Sequence, residues 1–156
     1  MAASKPPHVL MIEARFYADL ADELVRGAVA ALDEAGATYE RIEVPGALEI
    51  PTALAMACDA GLIPHGASRR RFQGCVALGC VIRGETSHYD IVAGESTRWL
   101  MQIATSHHVP LGNGILTVEN SGQAWERARG GSAGKGGDAA RACLRLIEIT
   151  TMFYER

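Results

Sequence analysis

With 156 residues, 48% of them hydrophobic and 21% charged, the chain has the size and balance of one globular domain with its own core. A net charge of −3 gives no footing for nucleic acid or an anionic membrane surface as partner. The four cysteines, Cys58, Cys75, Cys80 and Cys143, form no C-x-x-C pair, so neither a zinc knuckle nor a thioredoxin-like motif is present. Their apolar surroundings suit free thiols in a reducing compartment.

Residues 1–7 hold a lysine and two prolines, and the apolar run that follows at 9–12 is too short for a signal peptide or a membrane span. A loose start and a cytoplasmic location are therefore expected. Residues 9–12 read as a buried strand. Asp19 is placed to cap a helix in which Leu20, Leu24, Ala28, Ala31 and Ala35 recur at helical spacing until Gly36. Residues 39–44 alternate, with Ile42 and Val44 on one side, and Pro45-Gly46 ends this second strand. Pro51 suits the first turn of a helix that runs to about Ala60.

Residues 75–82 are almost wholly apolar, as a strand covered on both faces requires. A third helix is expected over 90–107, with Ile91, Trp99, Leu100 and Ile103 as its apolar contacts. A fourth strand is expected over 115–118. Asn120 and Gln123 can start a short helix that ends near Arg129. Glycines at 130, 131, 134, 136 and 137 then break regular structure. A last helix from Asp138 carries Ala139, Cys143, Leu146, Thr150 and Phe153 as one stripe. The order β-α-β-α-β-α-β-α-α predicts an α/β fold: a three-layer α/β/α sandwich around a four-stranded parallel sheet, flavodoxin-like, forming a single domain over 1–156.

The most informative stretch is Gly79-Cys80-Val81-Ile82-Arg83-Gly84-Glu85-Thr86-Ser87-His88-Tyr89-Asp90. An apolar strand runs into a glycine turn, then hydroxyls, a histidine and an acid at a helix start. Open α/β sheets place ligands at such strand ends. A helix start favours anions, and an imidazole beside it can move a proton near neutral pH. The other motifs are more ambiguous. Phe16 and Tyr17 can stack on a planar ligand, or Phe16 can pack on the core. Glu49, held between two prolines, can serve a site or only the helix dipole. The patch from Gly130 to Gly136 lacks the residues and the upstream strand of a P-loop and reads as a flexible connector. Arg127 and Lys135 bracket that patch and can both reach an anion. Arg69-Arg70-Arg71 reads as a solvated loop. No histidine pair has metal-ligand spacing, there is no G-x-G-x-x-G after the first strand, and no nucleophile elbow appears. Neither a metal nor a cofactor is expected.

Together Arg15-Phe16, Val44-Pro45-Gly46-Ala47-x-Glu49-Ile50-Pro51, Gly79-x-Val81-Ile82-Arg83-Gly84-x-Thr86-x-His88-Tyr89-Asp90, Gly114-Ile115-Leu116-Thr117, Gln123-Ala124-x-Glu126-Arg127 and Lys135-Gly136 resemble the lumazine synthase family, in order and over almost the whole chain. The resemblance implies condensation of 5-amino-6-ribitylaminouracil with 3,4-dihydroxy-2-butanone 4-phosphate, the penultimate step of riboflavin synthesis. It implies His88 as proton carrier, and Thr86 with the backbone at Glu85, joined by Arg127, as the phosphate seat. Phe16 would stack on the pyrimidine. Ala47, Leu48 and Glu49, with Cys80, Val81 and Ile82, would line the pyrimidine and ribityl pocket, with Lys135 assisting. The family often has Asn where Tyr17 stands, and an aromatic in the turn that here reads Leu111-Gly112-Asn113, which leaves Asn113 at that substrate-facing position.

Phe16, Glu49 and His88 fall at the carboxyl ends of strands, and Asn113 falls before one. A short strand spans roughly 17 Å, so one small ligand does not touch both edges of a single subunit. Asn113 and Arg127 are therefore expected from a neighbour in a closed, head-to-tail ring. The resemblance implies a homopentamer, in some members packed into a shell of sixty. A flavin- or lumazine-binding protein of low turnover is the competing reading, and a purely structural cage is a third. Neither of these requires a proton carrier.

Overall fold

Four parallel strands form one sheet in the order β2-β1-β3-β4 in the computed structural model, which describes residues 5–154. β1 (His8–Ala14) pairs with β2 (Thr38–Val44) and with β3 (Gly74–Ile82), and β3 pairs with β4 (Leu111–Val118). Helices α1 (Ala18–Glu34), α4 (Ser121–Ala128) and α5 (Lys135–Tyr154) pack on one face of the sheet. Helices α2 (Glu49–Asp59) and α3 (His88–His107) pack on the other. This is the expected three-layer α/β/α sandwich with flavodoxin-like strand order. Of the expected loose start, residues 1–4 lie outside the described residues, and Lys5–Pro7 lead into β1 without regular structure. No helix among the described residues is long and apolar enough to cross a membrane.

Successive side chains of a strand point to opposite faces. Val9 and Met11 of β1 join Val76 and Leu78 of β3 beneath α1 and α5. Leu10 and Ile12 join Cys75 and Ala77 beneath α2 and α3. Both sets are apolar because both faces of the sheet are covered. The chain lays β2 on one side of β1, then crosses over to lay β3 on the other. The crevice at the carboxyl ends of β1 and β3 is thus the point where the winding reverses, the usual ligand position in such sheets.

Several boundaries differ from expectation. β1 runs on through Glu13, which is 0% exposed, because Arg41 and Arg15 neutralise a carboxylate that would otherwise end an apolar strand. Asp19 lies in the first turn of α1, and the cap position belongs to Tyr17, which makes no side-chain cap bond. α2 starts two residues before Pro51, and α3 two before Asp90, so Glu49 and His88 each open a helix.

β4 begins at Leu111 and takes in Leu111-Gly112-Asn113, the stretch that reads as a turn before the strand. A Cβ on Gly112 would collide with the backbone carbonyl of Ala139 on α5, so the missing side chain is what allows strand and helix to approach. The connector is likewise shorter than expected. Residues 131–133 form a 3₁₀ turn, while Gly136 and Gly137 are buried in α5. A Cβ on Gly136 would strike the Leu24 carbonyl of α1.

The helix stripes also differ. α3 buries Val92, Ser96, Leu100 and Ala104, whereas Ile91 and Trp99 face outward. Of the expected contacts Leu100 is buried and Ile103 packs partly buried against the core; the inward stripe also takes in Ser96, whose hydroxyl donates to the Ala93 carbonyl at 3.4 Å. In α5 the inward residues are Ala139, Ala140, Cys143 and Ile147, with Leu146 and Phe153 exposed.

Candidate functional site

A cleft of about 430 Å³ opens at the carboxyl ends of β1, β2 and β3. Each wall is a segment that leaves a strand. Phe16 and Tyr17 follow β1, Pro45–Glu49 follow β2, and the end of β3 from Cys80 to Ile82 continues into the turn with Gly84, Thr86 and His88.

The first wall is aromatic. Phe16 is 73% exposed, so it does not pack on the core. Its ring meets Tyr17 edge-on, with centroids 4.9 Å apart, and it lines the cleft. Tyr17 packs against the α1-side core, and burial pushes its phenol pKa up, which keeps it a neutral donor.

The second wall follows from Pro45-Gly46, which turns the chain out of β2. The Glu49 N–H donates to the Gly46 carbonyl at 3.2 Å. Ala47 is buried, and Leu48 and Glu49 are exposed. Glu49 sits in the first turn of α2 and in the cleft at once, so the dipole role and the site role share one residue.

The third wall carries polar chemistry. Val81 is buried and Ile82 half-buried at the end of β3. Burial pushes the Cys80 thiol up to about 11, which makes it an apolar wall and not a thiolate at neutral pH. The following turn is fastened from both sides. The Arg83 guanidinium lies 4.3 Å over the Tyr89 ring, with Nη1 3.6 Å from Asp90. Its Nε lies 2.8 Å from Glu119 beyond β4. His88 is exposed, and its backbone N–H donates to the Thr86 hydroxyl at 3.3 Å. Ser87 makes no side-chain cap bond to α3, which leaves backbone donors at the start of a 20-residue helix for an anion.

The structure therefore brings Phe16, Ala47, Leu48, Glu49, Cys80, Val81, Ile82, Thr86 and His88 to one cleft. Glu85 lies on the same turn, exposed and outside the lining. Three other expected site residues are elsewhere. Asn113 lies within β4 opposite Ala77, with its side-chain oxygen accepting from the Ile115 N–H at 3.0 Å. Val118 at the carboxyl end lies five residues further on, roughly 17 Å of strand. Arg127 and Lys135 share a separate polar hollow of about 360 Å³ with Arg129 and Asp138. There Lys135 Nζ is 3.7 Å from Asp138, and Arg127 donates to the Gln123 carbonyl at 3.1 Å. Tyr89 and Val92 also line the cleft. The sequence gives Tyr89 a place in the motif but no role, and gives no signal for Val92, which is one helical turn beyond His88.

The fold is that of a doubly wound α/β protein, and its switch point brings an aromatic, a carboxylate and an imidazole to a helix start, an arrangement that can do acid–base work on a small ligand. A family model described as 6,7-dimethyl-8-ribityllumazine synthase matches residues 6–151. The chain is 60% identical to 6,7-dimethyl-8-ribityllumazine synthase 1 of Rhizobium meliloti over 149 residues, 96% of this chain and 95% of that one. It is 59% identical to the 6,7-dimethyl-8-ribityllumazine synthase of Agrobacterium fabrum, across 92% and 94% of the two chains. With that of Bartonella tribocorum it shares 51%, across 96% and 93%. The chain belongs to the 6,7-dimethyl-8-ribityllumazine synthase family of enzymes.

Proposed function

We propose that this chain, as one domain over residues 1–156, condenses 5-amino-6-(D-ribitylamino)uracil with 3,4-dihydroxy-2-butanone 4-phosphate to give 6,7-dimethyl-8-ribityllumazine, the penultimate step of riboflavin biosynthesis. The observation that carries the reading is the exposed His88, which lines one cleft together with Thr86 and Phe16. The uracil stacks on Phe16, and its ribityl chain runs along Ala47–Glu49 and the end of β3. The phosphate sits at the start of α3, against Thr86 and the backbone at Glu85. The 5-amino group attacks the ketone, water leaves, and phosphate is eliminated. The ribitylamino nitrogen then closes the ring with loss of a second water. His88 carries protons between these steps, and holding the two substrates together supplies much of the rate.

Arg127, Lys135 and Asn113 complete this site from the next subunit of a closed ring, because in one chain they lie apart from the cleft. The ring is a homopentamer, alone or packed into a shell of sixty, working in the cytoplasm. The test is to mix both substrates with the protein and follow lumazine absorbance. A rate above the spontaneous background is expected. A rate equal to background would overturn the reading in favour of a protein that binds flavin or lumazine with little turnover.

A further inference from the structure

Glu13 is fully buried and belongs to none of the cleft walls. Arg41 of the edge strand β2 grips it with two bonds, Nε to Oε2 and Nη2 to Oε1, each 2.8 Å. Arg15 Nη1 reaches the same Oε1 at 3.2 Å. The other arm of Arg15 bonds Asp22 on α1 at 2.6 Å, and its backbone N–H extends the ladder to the Val44 carbonyl at 3.0 Å. One carboxylate thus gathers β2, β1 and, through Arg15, α1 at the place where the chain turns into the aromatic wall.

Stability alone does not call for this arrangement. Taking a carboxylate out of water is costly, and buried ion clusters can often be exchanged for well-packed apolar residues with no loss. Apolar packing cannot, however, aim two guanidinium forks. The turn has need of aiming. Tyr17 supplies no side-chain cap to α1. The exposed Phe16 ring touches only the edge of Tyr17 among the described aromatic rings. The core does not hold that ring, so its direction is set by the backbone at Arg15 and Phe16.

We propose that Glu13 is a positioning residue. Through Arg15, braced by Arg41 and Asp22, it fixes the β1–α1 turn so that the Phe16 ring stands ready to stack on the uracil ring. The inference rests on the stacking role assigned to Phe16 above, and the test separates the two. Steady-state KM for each substrate is measured for Phe16→Ala, Glu13→Gln and the double variant, with circular dichroism as a folding check. Removing the stacking ring raises the pyrimidine KM about tenfold. Glu13→Gln raises it about fivefold, with the phosphate substrate's KM within about twofold of the parent. The double variant matches Phe16→Ala alone, because a misdirected ring that is absent cannot cost more.

If Phe16→Ala leaves the pyrimidine KM unchanged, the stacking role fails and the inference falls with it. If Phe16→Ala acts as expected but the Glu13→Gln effect is additive, or is equal for both substrates, only the positioning role is overturned. Should Glu13→Gln not fold, Arg15→Lys enters the same cycle. It keeps the Glu13–Arg41 pair but cannot bridge Glu13 and Asp22 with two arms, and the same outcomes decide.

Discussion

Arg83 Nε lies 2.8 Å from Glu119 Oε2, so the residue that follows β3 is tied to the residue that follows β4. The backbone supports the tie, since the Arg83 N–H donates to the Val118 carbonyl at 2.9 Å. The same guanidinium covers the Tyr89 ring. One side chain thus braces the Thr86–His88 turn from the strand side and from the helix side. Arg83 and Glu119 are 43% and 59% exposed, and pairs that open to water contribute at most about 1 kcal/mol. Arg83→Ala should therefore lower the denaturant-unfolding free energy by less than about 1 kcal/mol. It should raise the KM for the phosphate substrate severalfold. A large stability loss with unchanged KM would show that the pair serves the fold and not the turn.

The separation of Arg127 from the His88 cleft within one chain makes a sharper prediction. His88→Ala and Arg127→Ala proteins should each be nearly inactive alone. Dissociated together and reassembled, they should recover about a quarter of the parent rate, the share of sites in a randomly mixed ring that join an intact cleft to an intact Arg127. If Arg127 served the cleft of its own chain, every site in the mixture would carry one lesion, and no activity would return.

Cys143 sits at the interface of α5 and the sheet, Cys75 on the face beneath α2 and α3, and burial pushes both thiols up, Cys143 to about 12. The ordinary value is near 9. Above that pH the unfolded chain releases protons that the folded chain retains. The folded state then binds more protons, and stability falls as pH rises. For Cys143 the contribution is fully present below about 9 and lost progressively toward about 12. Unfolding midpoints measured between pH 8 and 11 should decline, and Cys143→Ala should flatten the decline. An equal slope in the variant would assign the alkaline loss to other groups.

Two glycines in helices should respond in opposite ways to the same change. Gly136→Ala forces a methyl into the backbone of α1 at Leu24 and should cost about 3 kcal/mol or prevent folding. Gly94, exposed in the middle of α3 with open space where a Cβ would stand, should gain roughly 0.5–1 kcal/mol as alanine. Chemical denaturation of both variants checks the pair.

Much of the fold was legible because both faces of this sheet are apolar, so strands such as β3 read as unbroken runs. Three of the departures share a cause. Glu13 in β1, Gly112 and Gly114 in β4, and Gly136 in α5 are residues whose local preference opposes the element that holds them. Each is permitted by a tertiary contact: an arginine fork from β2, or a helix that needs the space a side chain would take. The cleft walls were legible for a different reason. Each is a continuous segment leaving a strand, and strand ends converge in any parallel sheet. Asn113 could be placed at a distance from strand direction alone. The hollow shared by Arg127 and Lys135 could not, because it depends on how α4 turns into α5.

The Phe16 ring, open to water over 73% of its surface, leaves a patch of wet hydrocarbon at the rim of the cleft. A planar compound that lands there displaces that water. Association of any aromatic ligand should then carry a negative heat-capacity change that shrinks when residue 16 is alanine. Calorimetry over a range of temperatures would read how much of the ring the ligand covers, even for an analogue that never reacts.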